Sequence, residues 1–399
     1  MERGPRIFYA AGPGDIVGTY THWKEGRDDP SQVAVTYSGQ FFETVKELGG
    51  AGYAVSYCPR KAGVNDGQYK VLHRRIPWQE GPGPLYHVGQ VWSAIRMAMS
   101  CIAFRADIAV VSDGAHWFAL EVLRWFGVKV VPTLHCTLWK KHAPMSGLSM
   151  KIRTLNARFF RRKAFSVMSL SDDITQQVKE MVGEEPGPPI IPFLPHYRES
   201  AFGGMAQPPG QPPFRVFFAG RIEPNKGVFD LLAVAKSLKE QGLSHIEFDL
   251  CGSGSVLDQL RKQTAEAGLQ ETFRLHGHCT KPVMRAMFER SQVVIAPTTT
   301  DFIEGFNKVV AEGVLAGRPV ITSSVCPALS YVAAGVVEVP PDDVKGYEDA
   351  IVKLSSDRGL YESKREGALS VRGQFLEKGN SWGEALKRVV GLWGESLKK

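Results

Sequence analysis

No apolar run in this 399-residue sequence reaches the roughly 18–20 positions that a membrane-spanning helix needs. No Cys-x-x-Cys pair occurs either; the six cysteines, Cys58, Cys101, Cys136, Cys251, Cys279 and Cys326, are scattered. Scattered thiols argue against a disulfide framework or a zinc site, and for reduced cysteines in a cytosolic protein. The opening stretch MERGPRIFYAAGPG is too short and too rich in Gly and Pro for a signal peptide, and reads as a strand at 7–11 followed by a loop. Low-complexity segments are missing, as is any internal repeat beyond a shared topology. Charge of one sign does not dominate: 48 Lys and Arg face 41 Asp and Glu, a net +7 with an isoelectric point near 9.0. This moderate basic excess favours anionic partners such as phosphorylated substrates, anionic lipid or nucleic acid, without choosing among them.

What is present is alternation. A chain of this length suits two domains of about 150–200 residues. In the first half, apolar runs at 7–11, 54–58, 108–111, 129–134 and 167–170 alternate with helical patterns near 39–48, 86–104, 115–126, 150–164 and 172–181. Strands separated by helices of that length imply a mainly parallel, doubly wound sheet. HYRESAFGGMAQPPGQPPF, residues 196–214, carries four prolines and three glycines and reads as a linker. Alternation then resumes with RVFFAG, HIEFDLCG, TFRLHG, QVVIAP, RPVIT and GVVEV. The expectation is an α/β protein of two Rossmann-like domains: residues 1–195, a linker at 196–213, residues 214–378, and a closing amphipathic helix at 379–399. The apolar side of that helix, with Trp382, Leu386 and Val389, needs a surface to pack on.

Ligands of open α/β sheets lie beyond the carboxyl ends of the strands, so the residues just after each strand are the candidates. After RVFFAG come Arg221 and Lys226, five apart in a loop that enters a helix. Two cations backed by a helix dipole would hold a diphosphate; two solvated loop cations fit the spacing equally. Gly252 and Gly254 mark a strand-to-helix turn, with or without backbone contact to a ligand. Gly277 and His278 stand where main-chain groups could read a base or ribose, and a structural His276 or His278 is the plainer alternative to a catalytic one. TTTDFIEGF followed by NKVVAEGVLAG puts Glu304 in a loop and Glu312 in a helix expected to begin near Phe306. That start would leave the amides of Gly305, Phe306 and Asn307 as donors. The plainer reading is a first-turn acid that helps the dipole and an exposed mid-helix acid. Yet Glu312 is flanked by Val309, Val310, Ala311, Val314 and Leu315, and a charge in so apolar a segment needs a partner. In the first half the strand ends offer Gly12 and Gly14, Asp113 and His116, and His135, with structural readings beside the binding ones.

Together GRIEPNKG, CGSGS, LHGHCTKPVMRAMFERSQVVIAP and EGFNKVVAEGVLAGRPVI resemble glycosyltransferase family 4, the retaining, nucleotide-sugar-dependent enzymes of the GT-B fold. The resemblance covers most of residues 214–354 and rests on Gly-Arg-x4-Lys-Gly followed by Glu-x7-Glu. It implies two domains facing a central cleft, and transfer of a sugar to an acceptor with retention at the anomeric carbon. It implies that Arg221 and Lys226, beside Gly220, bind the donor diphosphate. Glu304 would touch the sugar hydroxyls, helped by the amides of Gly305, Phe306 and Asn307, and Glu312 would hold the ribose. The turns at Gly252, Gly254, Gly277 and His278 would line the nucleotide, and His135 would stand near the reacting sugar. No metal or cofactor is implied; the co-substrate is a nucleotide sugar, a UDP-sugar ahead of a GDP-sugar. RDD, SDD and PDD are then not metal motifs, and the last two read as helix starts.

The first half resembles the family more loosely. The family's glycine loop leads promptly into a helix, whereas residues 15–37 intervene here before a helix near Gly39. Gly12, Gly14, Asp113 and His116 are candidates for acceptor or phosphate binding. Basic residues crowd 140–163, interleaved with Phe159 and Phe160; such a helix could dock on anionic lipid or be a solvated face. The expectation is a cytoplasmic enzyme of polysaccharide, lipopolysaccharide or glycolipid synthesis, peripheral or not on the inner face of the cytoplasmic membrane. Its acceptor would be a glycan or a lipid-linked one, with no nucleic-acid partner. A nucleotide-sugar epimerase and a non-catalytic sugar-nucleotide-binding protein are the alternatives.

Overall fold

The computed structural model of the chain describes residues 3–79, 81, 83–142, 147–184, 186–210 and 212–398. Residues 143–146 of the basic stretch and residue 211 of the Pro-rich stretch thus lie outside the described residues. The chain divides into two compact units. One is Met1–Leu138, Met145–His196 and Lys378–Lys399; the other is Trp139–Pro144 and Tyr197–Glu377.

The strands, in chain order, are β1 (Arg6–Ala10), β2 (Ala51–Ser56), β3 (Gly63–Asn65), β4 (Tyr69–His73), β5 (Ile108–Ser112), β6 (Lys129–Leu134), β7 (Val167–Ser169), β8 (Ile190–Pro192), β9 (Phe214–Ala219), β10 (Ile246–Cys251), β11 (Phe273–Gly277), β12 (Val293–Ala296), β13 (Val320–Ser323) and β14 (Val336–Val339). The α-helices are α1 (Ile16–Lys24), α2 (Tyr37–Glu47), α3 (Gly83–Phe104), α4 (Gly147–Arg162), α5 (Asp172–Val182), α6 (Glu199–Phe202), α7 (Val228–Glu240), α8 (Leu257–Glu266), α9 (Lys281–Arg290), α10 (Lys308–Leu315), α11 (Leu329–Val332), α12 (Val344–Ser356), α13 (Arg358–Val371) and α14 (Trp382–Ser396).

The first unit is built on an eight-stranded sheet in the order β3-β4-β2-β1-β5-β6-β7-β8. Every pairing is parallel except β3 with β4. Its central strands are buried on both faces, which is why β1 and β5 are continuous apolar runs instead of alternating ones. The β3–β4 hairpin and β8 were not expected. The hairpin turns at Asp66-Gly67, with Gly67 at φ +90°, and an Asp-Gly pair between short strands is a hairpin signal.

Right-handed crossovers put α1 and α2 on one face of this sheet, and α3, a 3-10 helix at Trp117–Phe126, α4 and α5 on the other. The expected helix at 115–126 is therefore a 3-10 helix. A second correction concerns residues 15–37. Asp15 caps α1 directly, its Oδ1 accepting from the Gly18 amide at 2.8 Å, so the glycine loop does lead promptly into a helix. Tyr20 of α1 is buried against Phe42 and Tyr69. The apolar side of α14 packs on α2. Gly383 allows the approach, since a Cβ there would lie 2.9 Å from Thr44 Oγ1, and its amide donates to Gln40 Oε1 at 2.9 Å. Trp382, fully buried, donates to Thr133 Oγ1 at 2.8 Å and lies 5.2 Å from the Tyr9 ring.

The second unit has a fully parallel six-stranded sheet, β11-β10-β9-β12-β13-β14. In the unit's own numbering this is 3-2-1-4-5-6, the Rossmann order, which reverses direction between β9 and β12. Each of the six apolar runs in this half forms a strand. From Tyr197 onward the Pro-rich stretch belongs to this unit and is tied to it. Arg285 donates to the carbonyls of Ala201 and Gly203 at 3.0 and 2.9 Å, and buried Arg318 donates to that of Ala206 at 2.6 Å. Among the described residues no helix is long and apolar enough to cross a membrane.

Candidate active site

The reversal between β9 and β12 sets two loops of the second unit side by side. After β9, Gly220 and Arg221 are exposed and Ile222 is buried; one 3-10 turn, Pro224–Lys226, then leads through Gly227 into α7. Gly227 has φ +71°, and a Cβ there would lie 2.1 Å from the Pro297 carbonyl oxygen. Only glycine lets this turn lie against the end of β12. The approach brings Lys226 to Glu304: Nζ is paired with Oε2, and the side chains are 13% and 11% exposed. Glu304 Oε1 accepts from the Gly305 amide at 3.1 Å. Phe302 holds both cations on its ring, with Lys226 Nζ 4.0 Å and Arg221 Cζ 5.4 Å from the centroid. Two cations and a carboxylate thus meet at the strand ends where an α/β sheet binds its ligand.

The adjoining turns are joined through their backbones. The Gly220 amide donates to the Cys251 carbonyl at 3.0 Å, Ile222 to Ser253 at 3.0 Å, and Gly252 to Gly277 at 2.7 Å. Gly252 has φ +149°, and a Cβ there would lie 1.7 Å from the Gly220 oxygen; at Gly254 it would lie 2.2 Å from the Ile222 oxygen. These two glycines answer first to loop packing, and the amides of Gly220 and Gly252 are spent on it. Gly277 ends β11 and His278 follows it, exposed. His276 has its Nε2 2.6 Å from Asp249 Oδ1, a fully buried carboxylate that Arg290 also contacts. It is the structural histidine.

The helix after Glu304 starts later than expected. It begins at Lys308, not near Phe306, and Asn307 precedes it at φ +67° with its Nδ2 3.3 Å from Thr298 Oγ1. Asn tolerates this left-handed conformation, and buried Phe306, its ring centroid 5.5 Å from that of Tyr331, holds the loop out of the helix. Glu312 is 7% exposed. Its Oε1 accepts the Tyr197 hydroxyl proton at 3.2 Å, and Lys308 lies one turn earlier. Burial pushes its carboxyl up to about 7, with Lys308 acting against that, and burial pushes the Lys308 amine down. The partner that the apolar flanks demanded is thus Tyr197, from the Pro-rich stretch. Phe302 and Asn225 went unnoticed in the sequence. Asn225 takes the Thr299 amide on its carbonyl at 3.2 Å, while its side-chain oxygen is buried without a hydrogen bond. Their signal lay only in position, between residues already singled out.

In the first unit, Asp113 and His135 come together. Asp113 Oδ2 accepts from the His135 amide at 2.6 Å, and burial pushes its carboxyl up to about 7. The His135 ring lies 4.5 Å from Tyr37 and 5.5 Å from Phe193, with Nε2 3.2 Å from Thr133 Oγ1. Gly12 has Ser112 Oγ 3.8 Å from where a Cβ would stand, and Gly14 has φ +146° with open space beside it. His116 stands apart, buried, with Nε2 3.1 Å from His87 Nδ1 of α3; burial, then the charge of His87, lowers it to about 4. Among the described residues no group of three or more His, Cys, Asp or Glu could hold a metal ion.

Known proteins share this organisation. Residues 206–370 match the family model "Glycosyl transferases group 1", and residues 40–191 match "Glycosyl transferase 4-like domain". A glycogen synthase of Mycobacterium tuberculosis is 24% identical over 255 residues, 63% of this chain and 60% of its own length. D-inositol 3-phosphate glycosyltransferase 1 of Catenulispora acidiphila is 27% identical over 227 residues, 53% of this chain and 51% of its own. The chain therefore spans about half to three fifths of these curated relatives. The crystal structure of Anabaena Alr3699/HepE in complex with UDP is 13% identical, with a TM-score of 0.66 over 98% of this chain and all of that one. The two Rossmann-like α/β units are those of the GT-B fold. With a 4-like domain ahead of a group 1 domain, the chain belongs to the group 1 glycosyl transferases.

Proposed function

We propose that the protein is a retaining glycosyltransferase that moves a sugar from a nucleotide-sugar donor to an acceptor hydroxyl of a glycan or glycolipid under construction. The observation that carries this reading is the Lys226–Glu304 pair beside Arg221, both cations over the Phe302 ring, at the strand reversal of the second unit. Without ligand each member of the pair neutralises the other. A nucleotide sugar has a partner for both: its diphosphate takes Lys226 and Arg221, and a sugar hydroxyl takes Glu304. Glu312 takes the ribose hydroxyls, sharing its carboxyl with the Tyr197 hydroxyl. UDP, the nucleotide in the Anabaena structure, is the first nucleotide to try.

In the transfer the bond from C1 to the diphosphate oxygen breaks, and the acceptor oxygen bonds to C1 from the same face. The acceptor proton passes to the departing phosphate oxygen. The charge that gathers on the diphosphate is met by two fixed cations, so the reading calls for no metal or cofactor. Asp113 and His135 belong to the acceptor side.

The test is calorimetric titration with UDP-, GDP-, ADP- and dTDP-sugars, followed by rates of transfer and slow donor hydrolysis. Glu304→Gln should lower both rates about a thousandfold while the nucleotide Kd stays within about threefold. An unchanged rate in this variant overturns the site. Conversion of the donor to its epimer without acceptor overturns the reaction.

A further inference from the structure

Thirteen large apolar side chains stand exposed among the described residues, and nine of them lie on α3, the 3-10 helix Trp117–Phe126 and α4. Five, Leu85, Val88, Trp92, Ile95 and Met99, recur every three or four residues along α3 and form a straight stripe about 21 Å long. In 22 residues α3 carries one charged side chain, Arg96. Its inner side, with Ala94, Met97 and Cys101, is buried in the unit. A helix apolar all round needs a second apolar surface, and this one faces solvent. The 3-10 helix packs beside α3, and α4 beside that, on the same face of the sheet. Trp125, 81% exposed, and Phe126 extend the apolar surface, and Trp78 stands exposed just before α3.

Charge around this surface is predominantly basic. Counting Arg105 and Lys163 at their ends, the three helices hold nine Arg and Lys and one acid, Glu121, whose Oε1 is 3.1 Å from Lys163 Nζ. We infer that this face of the first unit docks on an anionic lipid bilayer, the α3 stripe and Trp125 entering the headgroup boundary while the flanking arginines bind lipid phosphates. Tryptophan favours that boundary, where its ring is apolar and its N–H is wet. The cations supply the attraction that holds the helix layer there. A second copy is a poorer occupant, because a two-fold contact would lay one basic rim against the other. The seat of the contact is α3, with the basic α4 at its flank. This inference does not depend on the reaction.

The test is co-sedimentation of the full chain with vesicles of phosphatidylglycerol and phosphatidylcholine, or of phosphatidylcholine alone. Binding should require the anionic lipid and fall with salt. The double variant Trp92→Glu/Met99→Glu should bind about tenfold more weakly with its melting temperature unchanged, since both positions are exposed. Arg105→Glu/Arg124→Glu, also at exposed positions, should weaken binding chiefly at low salt. Failure to bind anionic vesicles, or wild-type binding by both variants, overturns the inference. So does a dimer, sized by light scattering, that Trp92→Glu/Met99→Glu dissociates; that face would then belong to a second copy.

Discussion

The two units finish the ends of their parallel strands in different ways. In the second, three turns lie so close that glycine is obligatory at 227, 252 and 254, and the outcome is a half-buried pair of opposite charges, Lys226 and Glu304. In the first, Gly12 meets nothing nearer than 3.8 Å, and the ends are finished by rings, those of Tyr9, Tyr37, Phe193 and Trp382, around a carboxyl that burial has pushed towards neutrality. A charged half suits a ligand of constant chemistry, a sugar on a diphosphate. A half of rings and neutral polar groups recognises by shape. That division fits the proposed reaction, in which the donor carries the diphosphate and the acceptor does not.

The sharpest way to break this contrast is to add a methyl group to each half. Gly252→Ala should cost more than about 3 kcal/mol or prevent folding, because its Cβ would sit 1.7 Å from a carbonyl oxygen; Gly12→Ala should cost less than about 1 kcal/mol. Urea denaturation measures both, and equal losses would erase the distinction. A smaller effect probes the two carboxyls raised by burial. Glu312 faces Lys308 and Tyr197; Asp113 faces the His135 amide, with Tyr9, Tyr37 and Tyr57 around it. Each carboxyl keeps its proton to about pH 7 when folded and loses it near pH 4 when unfolded. The folded state therefore binds more protons in that window, and stability falls as pH rises through it. Glu312→Gln and Asp113→Asn should each remove part of that fall, gaining about 1–2 kcal/mol at pH 8 and little at pH 4, as read from denaturation across pH. The smallest effect belongs to Phe302→Leu, which removes the ring beneath both cations and should weaken donor binding about threefold by calorimetry.

Most of the second unit was legible because its signals are local. Six apolar runs became six strands, and Arg221, Lys226 and Glu304 stand together because they lie in the loops that follow β9 and β12. What escaped depends on distance in the chain. Tyr197 lies 115 residues from Glu312, and nothing local announces that its hydroxyl fills the carboxyl's need. The late start of α10 depends on buried Phe306 reaching Tyr331 and Phe375. In the first unit, α1 was hidden by a weak apolar pattern broken by Gly18, Thr19 and Thr21, and its cap, Asp15, was the overlooked mark. His116 looked like a site residue by position alone, but it pairs with His87, 29 residues away.

The packing of α14 on α2 bears on the order in which the chain is made. Tyr9 and Thr133 leave the ribosome early, yet Trp382, which covers one and bonds the other, is made after every strand of both sheets. At about 5–20 residues per second, the 249 positions between Thr133 and Trp382 take on the order of ten seconds to a minute. For that interval the Tyr9 ring lacks its Trp382 cover, and Gln40 and Thr44 of α2 lack the Gly383 backbone that packs on them. A chaperone that shields apolar surface on nascent chains would find its client here, and the second unit would be folding before the first is closed.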